Sequence, residues 1–330
     1  MRIRALSVLL PVILAASAPA AEFGSIVFYE YVHEAIPAGT RDGSFDLSRA
    51  YFIMTDKPAE NLAYKLQLDA GRSGSDTADQ ALEVYIKTAC VDWSTGWGRW
   101  TFGMQGMNLF NVQENTFGNR FLTKPVMDQH GFSSSADMGV GFARSFGSLV
   151  SGSLLYTNGT GFRKPEDDKY KKLSLQVLAG EAALNRKDGW NAGLVFSMEP
   201  ISAEDNRTVM GVFGGWAGGG LRLGAEFDSK VVTGGRVDTQ GNPADLTSTI
   251  IGVYGNWRLP VSLPLESYLQ LDLYEPDSDT EKDGETGLIL GLKTSPAKGL
   301  TIAPNVRMTS YEDEDLDADV WYRLNFEFRI

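Results

Sequence analysis

The stretch VWYRLNFEFRI, residues 320–330, alternates without a break. Val320, Tyr322, Leu324, Phe326, Phe328 and Ile330 share one face, and Arg323, Asn325, Glu327 and Arg329 share the other. A period of two is that of a β-strand with one face in an apolar medium and the other in water. The same pattern fills 264–274, where Leu265, Leu269, Leu271 and Leu273 oppose Glu266, Gln270 and Asp272. Working outward from these two segments, alternation bounded by turn signals delimits sixteen candidate strands. They lie at roughly 23–32, 45–55, 61–70, 81–92, 97–106, 136–146, 148–157, 170–180, 190–198, 207–217, 219–229, 247–258, 264–274, 285–293, 300–309 and 319–330. Their mean length is close to the ~9–11 residues of a tilted transmembrane strand. A boundary error of a few residues leaves fourteen strands as the alternative, and the register of 45–55 is ambiguous around Arg49.

Alternation also suits a soluble sandwich, so the connections carry the decision. Odd connections are long and polar: 33–44, 71–80, 107–135, 158–169, 199–206, 230–246, 275–284 and 310–318. Even connections are mostly short: 56–60, 93–96, the bend near Gly147, 181–189, the glycines around Gly218, 259–263 and 294–299. Long loops on one rim and tight turns on the other is the asymmetry of an outer-membrane barrel, whose ends face different compartments. Trp93, Trp97, Trp190, Trp216 and Trp257 fall beside short connections and Trp321 beside a long one, as expected of rings at a membrane–water interface. The expected fold is all-β, a transmembrane antiparallel up-and-down β-barrel of about sixteen strands.

The amino-terminal residues fit this destination. Arg2 and Arg4 precede an apolar run, Ala5 to Ala16, and Ala18-Pro19-Ala20 has the small-x-small pattern of a cleavage site. We read 1–20 as an export signal peptide and 21–330 as the barrel. No later segment has the ~18 consecutive apolar residues of a membrane helix. With 36 glycines, 11% aromatic and 22% charged residues, the composition suits a barrel in which every second residue meets water. The net charge of −12 argues against a nucleic-acid partner. Cys90 is the single cysteine, so no disulfide framework or thiolate metal cluster is expected.

Three segments resemble the phosphate-selective porin family. FLTKPVMDQHGFSSSADMGVGF (Phe121 to Phe142) is similar to the stretch around that family's Ser-Ser-Ala-Asp-x-Gly-Val run, which follows its longest loop. SFDLSRAYFIM (Ser44 to Met54) resembles its second strand, and Tyr156-x-Asn158-Gly159 with Lys164-Pro165-Glu166 resembles a later hairpin loop. The resemblance covers roughly 44–166 and implies a sixteen-stranded, usually trimeric barrel whose third loop, here 107–135, folds inward. In anion-selective members basic residues line the constriction. This loop offers Arg120, Lys124 and His130, but also Glu114 and Asp128. The inward strand faces add Lys65, Lys87, Arg99, Arg222, Arg307 and Arg323 against Asp69, Glu83, Glu226, Asp228, Glu266 and Asp272. The lumen reads as balanced, which leaves a general diffusion pore and an anion channel both open. Tyr322, Leu324, Phe326 and Phe328 resemble the terminal aromatic strand read by the barrel-assembly machinery, although the chain finishes on Ile330.

Catalysis finds little support. The histidines are His33 and His130, and proximity of His130 to Ser133 and Asp137 is not triad geometry. The acidic loops 275–285 and 311–319 lack an EF-hand pattern and read as exterior loops that bridge divalent ions to lipopolysaccharide. No cofactor and no resident metal are expected. The expected function is a water-filled channel for small hydrophilic solutes or inorganic anions, assembled as a homotrimer. A non-channel barrel, such as an adhesin or structural surface protein, is the alternative.

Overall fold

A computed structural model describes residues 21–35, 43–72 and 82–330. The segment read as an export signal and parts of the connections 33–44 and 71–80 lie outside the described residues. Sixteen strands close a single antiparallel barrel in sequence order, β1 pairing with β16. They are β1 Glu22–Glu34, β2 Ser44–Ala59, β3 Leu62–Arg72, β4 Leu82–Thr95, β5 Gly98–Gly106, β6 Ala136–Phe146, β7 Val150–Thr157 and β8 Lys172–Gly180. The second half is β9 Gly189–Pro200, β10 Asn206–Gly218, β11 Leu221–Val237, β12 Pro243–Arg258, β13 Leu265–Glu275, β14 Glu285–Ala297, β15 Leu300–Tyr311 and β16 Asp319–Arg329. At the seam Ile26 stands opposite Arg329 and Glu34 opposite Trp321, so no sheet edge is left unpaired.

Burial is inverted relative to a soluble protein. Leu154, Leu175, Leu194, Val212, Leu223, Ile251, Val253, Leu269, Leu273 and Leu290 are exposed on the outer face. Asp69, Ser174, Gln176, Asn191, Asn256, Gln270 and Asn325 are buried inside. An apolar belt of this extent around a polar interior matches a hydrocarbon surrounding. No helix among the described residues is long and apolar enough to cross a membrane; the strands make the crossing. At the rim of short connections Trp216 stands directly opposite Trp190 and Trp93 opposite Trp100, and all four are exposed. Tyr322 and Phe328 are exposed on the outer face of β16, and Phe326 stacks on Phe328 at 6.5 Å between ring centres.

Two β-bulges set which residues face the lumen. In β2 the register shifts so that Phe28 faces Arg49 while Tyr29 faces Leu47. The extra residue, Ser48, reverses the parity of the strand and turns Arg49 inward, which resolves the ambiguity there. In β4, Gln67 faces Thr88 while Leu68 faces Ile86, so the successive residues Lys87 and Thr88 both line the interior. An extra unpaired residue is what flips side-chain direction beyond it.

One expected loop is corrected. The connection 230–246 is mostly strand: β11 and β12 stay paired to Val237 and Pro243, with an irregularity between Val232 and Arg236. The remaining turn is held by the Asp238 carboxylate, which accepts the amides of Gln240 and Asn242. Likewise β9 and β10 pair as far as Pro200 and Asn206, shortening the expected loop 199–206. Both strand pairs run past the expected boundaries because ladder bonds continue wherever both backbones remain extended. Gly219 and Gly220, at φ of +60° and +84°, form the two-residue hairpin whose left-handed positions favour glycine.

The belt predicts a depth-dependent response. Leu269 is exposed near the middle of β13, so Leu269→Arg should lower unfolding free energy in vesicles by roughly 2–4 kcal/mol. Phe328→Asp, close to the rim, should cost about 1 kcal/mol or less and reduce the amount of assembled barrel. Equal costs at the two sites, measured by urea titration, would contradict this placement of the belt.

Candidate functional site

The connection between β5 and β6 enters the barrel. It carries two short helices, α1 Asn111–Phe117 and α2 Val126–Gln129. Gly118 stops α1 at φ +71° and donates its amide to Glu114 O at 2.7 Å, a turn that favours glycine. One face of the loop is apolar. Leu109, Phe110, Val112, Val126, Met127 and Phe132 bury against Val195, Val209, Phe213 and Ile250 of the wall. Phe121 and Leu122 pack with Phe28, Tyr51, Tyr268 and Ile289. Space for α1 comes from glycine. A Cβ on Gly215 would lie 2.8 Å, and one on Gly224 2.9 Å, from Thr116 Cγ2.

Polar wall residues then pin the loop backbone. Arg222 and Asn256 both donate to Phe117 O, at 3.0 and 2.8 Å. Arg307 donates to Leu122 O at 2.6 Å, Gln176 to Asn108 O at 2.6 Å, and Lys293 to Asn119 Oδ1 at 2.6 Å. Hydrogen bonds to charged donors are among the stronger ones, and here they hold an irregular backbone that would otherwise bury unpaired carbonyls.

This anchoring changes the reading of several residues. His130 does not face an opening: its Nε2 lies 2.9 Å from Asp272 Oδ2 and its ring stacks on Tyr274 at 4.0 Å. Arg222 and Arg307 face inward, but both are spent on the loop backbone. Arg323 pairs with Glu30 at 3.1 Å. Among the acidic residues, Glu226, Asp228 and Asp272 are buried at 4%, 0% and 2% exposure, and Glu266 pairs with Lys293 at 2.7 Å. His130, Ser133 and Asp137, close in sequence, are engaged separately. Ser133 accepts from Lys172 at 3.2 Å, while Asp137 accepts the amides of Met138 and Gly159. Within the Ser-Ser-Ala-Asp run Asp137 therefore ties the end of the loop to the neighbouring connection.

Among the described residues, two chambers that share part of their lining flank the loop. The one toward the short connections has a volume of about 600 Å3 and is lined by Lys65, Lys87, Arg99, Arg120, Arg186 and Arg329 against Asp92 and Glu114. The one toward the long connections, about 210 Å3, is lined by Arg49, Lys87, Arg120, Lys124, Arg163 and Lys164 against Asp69 and Asp128. Lys87 and Arg120 belong to both and mark the waist. Arg120 stands between carboxylates, 3.6 Å from Glu114 and 3.7 Å from Asp128. Asp128 also lies 3.9 Å from Lys124, whose ammonium burial pushes below the usual lysine range. Arg49 and Lys87 share Asp69, at 3.1 and 3.8 Å. Cations thus outnumber anions around both chambers.

Glu114, Arg120, Lys124 and Asp128 of the loop, and Lys65, Lys87 and Arg99 of the wall, are brought together at these chambers. Arg49, Arg163, Lys164, Arg186 and Arg329 also line the chambers but were not among the pore residues expected from the sequence. A bulge hid the first, Arg163, Lys164 and Arg186 sit on connections, where strand parity says nothing, and Arg329 is the last residue of the polar face of β16. The run Arg163-Lys164 within the long connection 158–169 was a visible signal.

No family model matches the sequence, and no curated protein matches it. Solved structures do. An anion-selective porin from Comamonas acidovorans superposes with a TM-score of 0.68 at 12% identity, covering 94% of this chain and 99% of the other. The outer membrane channel DcaP of Acinetobacter baumannii gives 0.62 at 14%, covering 94% and 97%. The trimer form of OmpT, an outer membrane protein of Vibrio cholerae, gives 0.64 at 13%, covering 94% and 99%. The chain has the fold of the outer-membrane porins, and its apolar belt is that of a bacterial outer-membrane protein.

The cradle is testable. Gly215→Val should push α1 off β10 at an overpacking cost of roughly 1–3 kcal/mol while the barrel stays folded. Single-channel conductance is expected to rise. Wild-type conductance in a folded variant would show that α1 does not depend on this gap.

Proposed function

We propose that this protein is a passive porin channel that favours small anions over cations, and that it performs no chemistry of its own. The observation that carries the reading is the cationic excess around both chambers in a chain whose net charge is −12. Charge in a narrow passage with low-dielectric walls acts on ions far more strongly than the same charge in open water. Inorganic phosphate, which the resemblance of residues 44–166 suggests, belongs among the anions such a passage would admit.

Assembly as a homotrimer and insertion through the barrel-assembly machinery complete the proposal. An aromatic ladder supports self-association at the seam. Tyr29 stacks on Phe45 at 5.9 Å and lies 5.4 Å from Phe326, and Tyr31 lies 4.8 Å from Phe45. The acidic connections 275–284 and 312–318 are proposed to meet lipopolysaccharide through divalent ions.

Arg120→Glu combined with Lys124→Glu should lower chloride permeability relative to potassium, read as the reversal potential across a salt gradient in a planar bilayer. A wild-type reversal potential above neutral and unchanged in the double variant would move the selectivity to Lys65, Arg99 or Arg186.

Cys90 lines the larger chamber and reports on it directly. An anionic thiosulfonate should modify it faster than a cationic one of the same size and should lower the current. Faster reaction with the cationic reagent would contradict anion preference.

A further inference from the structure

The chamber toward the long connections has one ring in its lining, Phe162, that small inorganic ions do not require. Phe162, on the connection between β7 and β8, sits between two cations, 5.6 Å from Lys87 Nζ and 5.4 Å from the Arg163 guanidinium. Tyr85 meets Phe162 edge-on at 6.4 Å and carries the same Arg163 over its face at 4.9 Å. Below them Tyr51 lies under Lys87, 5.0 Å from ring to nitrogen. The carboxylate of Glu83 accepts a hydrogen bond from the Tyr85 hydroxyl, which fixes that ring rather than facing the chamber lining. Phe162 thus lines the outer chamber between two cations, with Tyr85 packed against its edge and Tyr51 in the inner chamber under Lys87.

A phosphate or chloride ion gains nothing from ring faces, which displace water from around it and return no hydrogen bond. A planar aromatic acid gains from both components. Its carboxylate would meet Arg163, Lys124 or Arg120, and its ring would stack on Phe162 or on the guanidinium plane of Arg163. We propose that the outer chamber is a binding site for aromatic carboxylates and that they are the preferred solutes of the channel. This rests on the anion-channel reading above and narrows it to a substrate class.

The test uses the full-length protein in planar bilayers, with benzoate, cyclohexanecarboxylate and acetate as probes of equal charge. Benzoate should block chloride current saturably, at a half-blocking concentration roughly three- to tenfold below that of cyclohexanecarboxylate, the range expected of one stacked pair. Acetate should be weaker still. Phe162→Leu should abolish the advantage of benzoate while leaving the chloride-to-potassium reversal potential as in wild type. Arg163→Gln should weaken both ring-bearing acids.

If benzoate and cyclohexanecarboxylate block alike, or if Phe162→Leu retains the difference, the aromatic site is overturned while an anion-selective reversal potential leaves the channel reading standing. A cation-selective reversal potential, or no channel activity from folded protein, overturns the channel reading and this inference together. The wild-type comparison of the two ring acids needs no variant, so it stands even where a substitution disturbs folding.

Discussion

A backbone amide in hydrocarbon has no water to bond, and each unpaired group costs several kcal/mol. Closure of β1 onto β16 is the arrangement that leaves none of them on an edge, and the rest of the molecule follows from it. Once the sheet is closed, period-two alternation has one sense only: apolar residues outward into lipid, polar residues inward. The interior of so wide a barrel cannot be filled by strand side chains alone. The polar wall is left with hydrogen-bonding capacity that either water or another piece of chain must satisfy.

The loop between β5 and β6 supplies that piece, and it does so on one side only. Its apolar face packs against β9, β10 and β12 through Val195, Val209, Phe213 and Ile250, while Arg222, Asn256 and Arg307 hold its carbonyls. Everything beneath it leaves the water-filled path. Glu226, Asp228 and Asp272 are covered, and His130 is turned against Asp272. What remains open is the opposite wall, formed by β1 to β5 with the connection after β7. A lumen that is electrostatically mixed as a whole thereby keeps a cationic excess on the side the loop leaves open.

The bulges complete the selection. Without the extra residue near Arg49 or at Lys87, strict alternation would send one of these cations toward lipid at a cost of roughly 2–4 kcal/mol. With it, both face Asp69 and the waist. Tyr51 and Phe162 stand beside Lys87, and Tyr85 beside Arg163, through cation–π contacts that add to the ion pairs in holding these cations together.

Strand number and barrel closure were legible in the sequence, since both follow from local alternation and turn chemistry, whereas two connections that read as long are largely strand. The outward face of β16, where Tyr322, Leu324, Phe326 and Phe328 alternate without a break, was legible as well. The sign of the passage was not. Arg99 and Arg307 both read as inward-facing cations, and both are, yet Arg99 lines the open chamber while Arg307 is occupied by Leu122 O. Strand parity says which face a side chain takes but not what lies against that face. That depends on where the loop 107–135 comes to rest, and its position is set by long-range packing into the gaps left by Gly215 and Gly224. Local sequence determined that this chain is a barrel with a polar interior; only the tertiary structure decided which of its charges meet water.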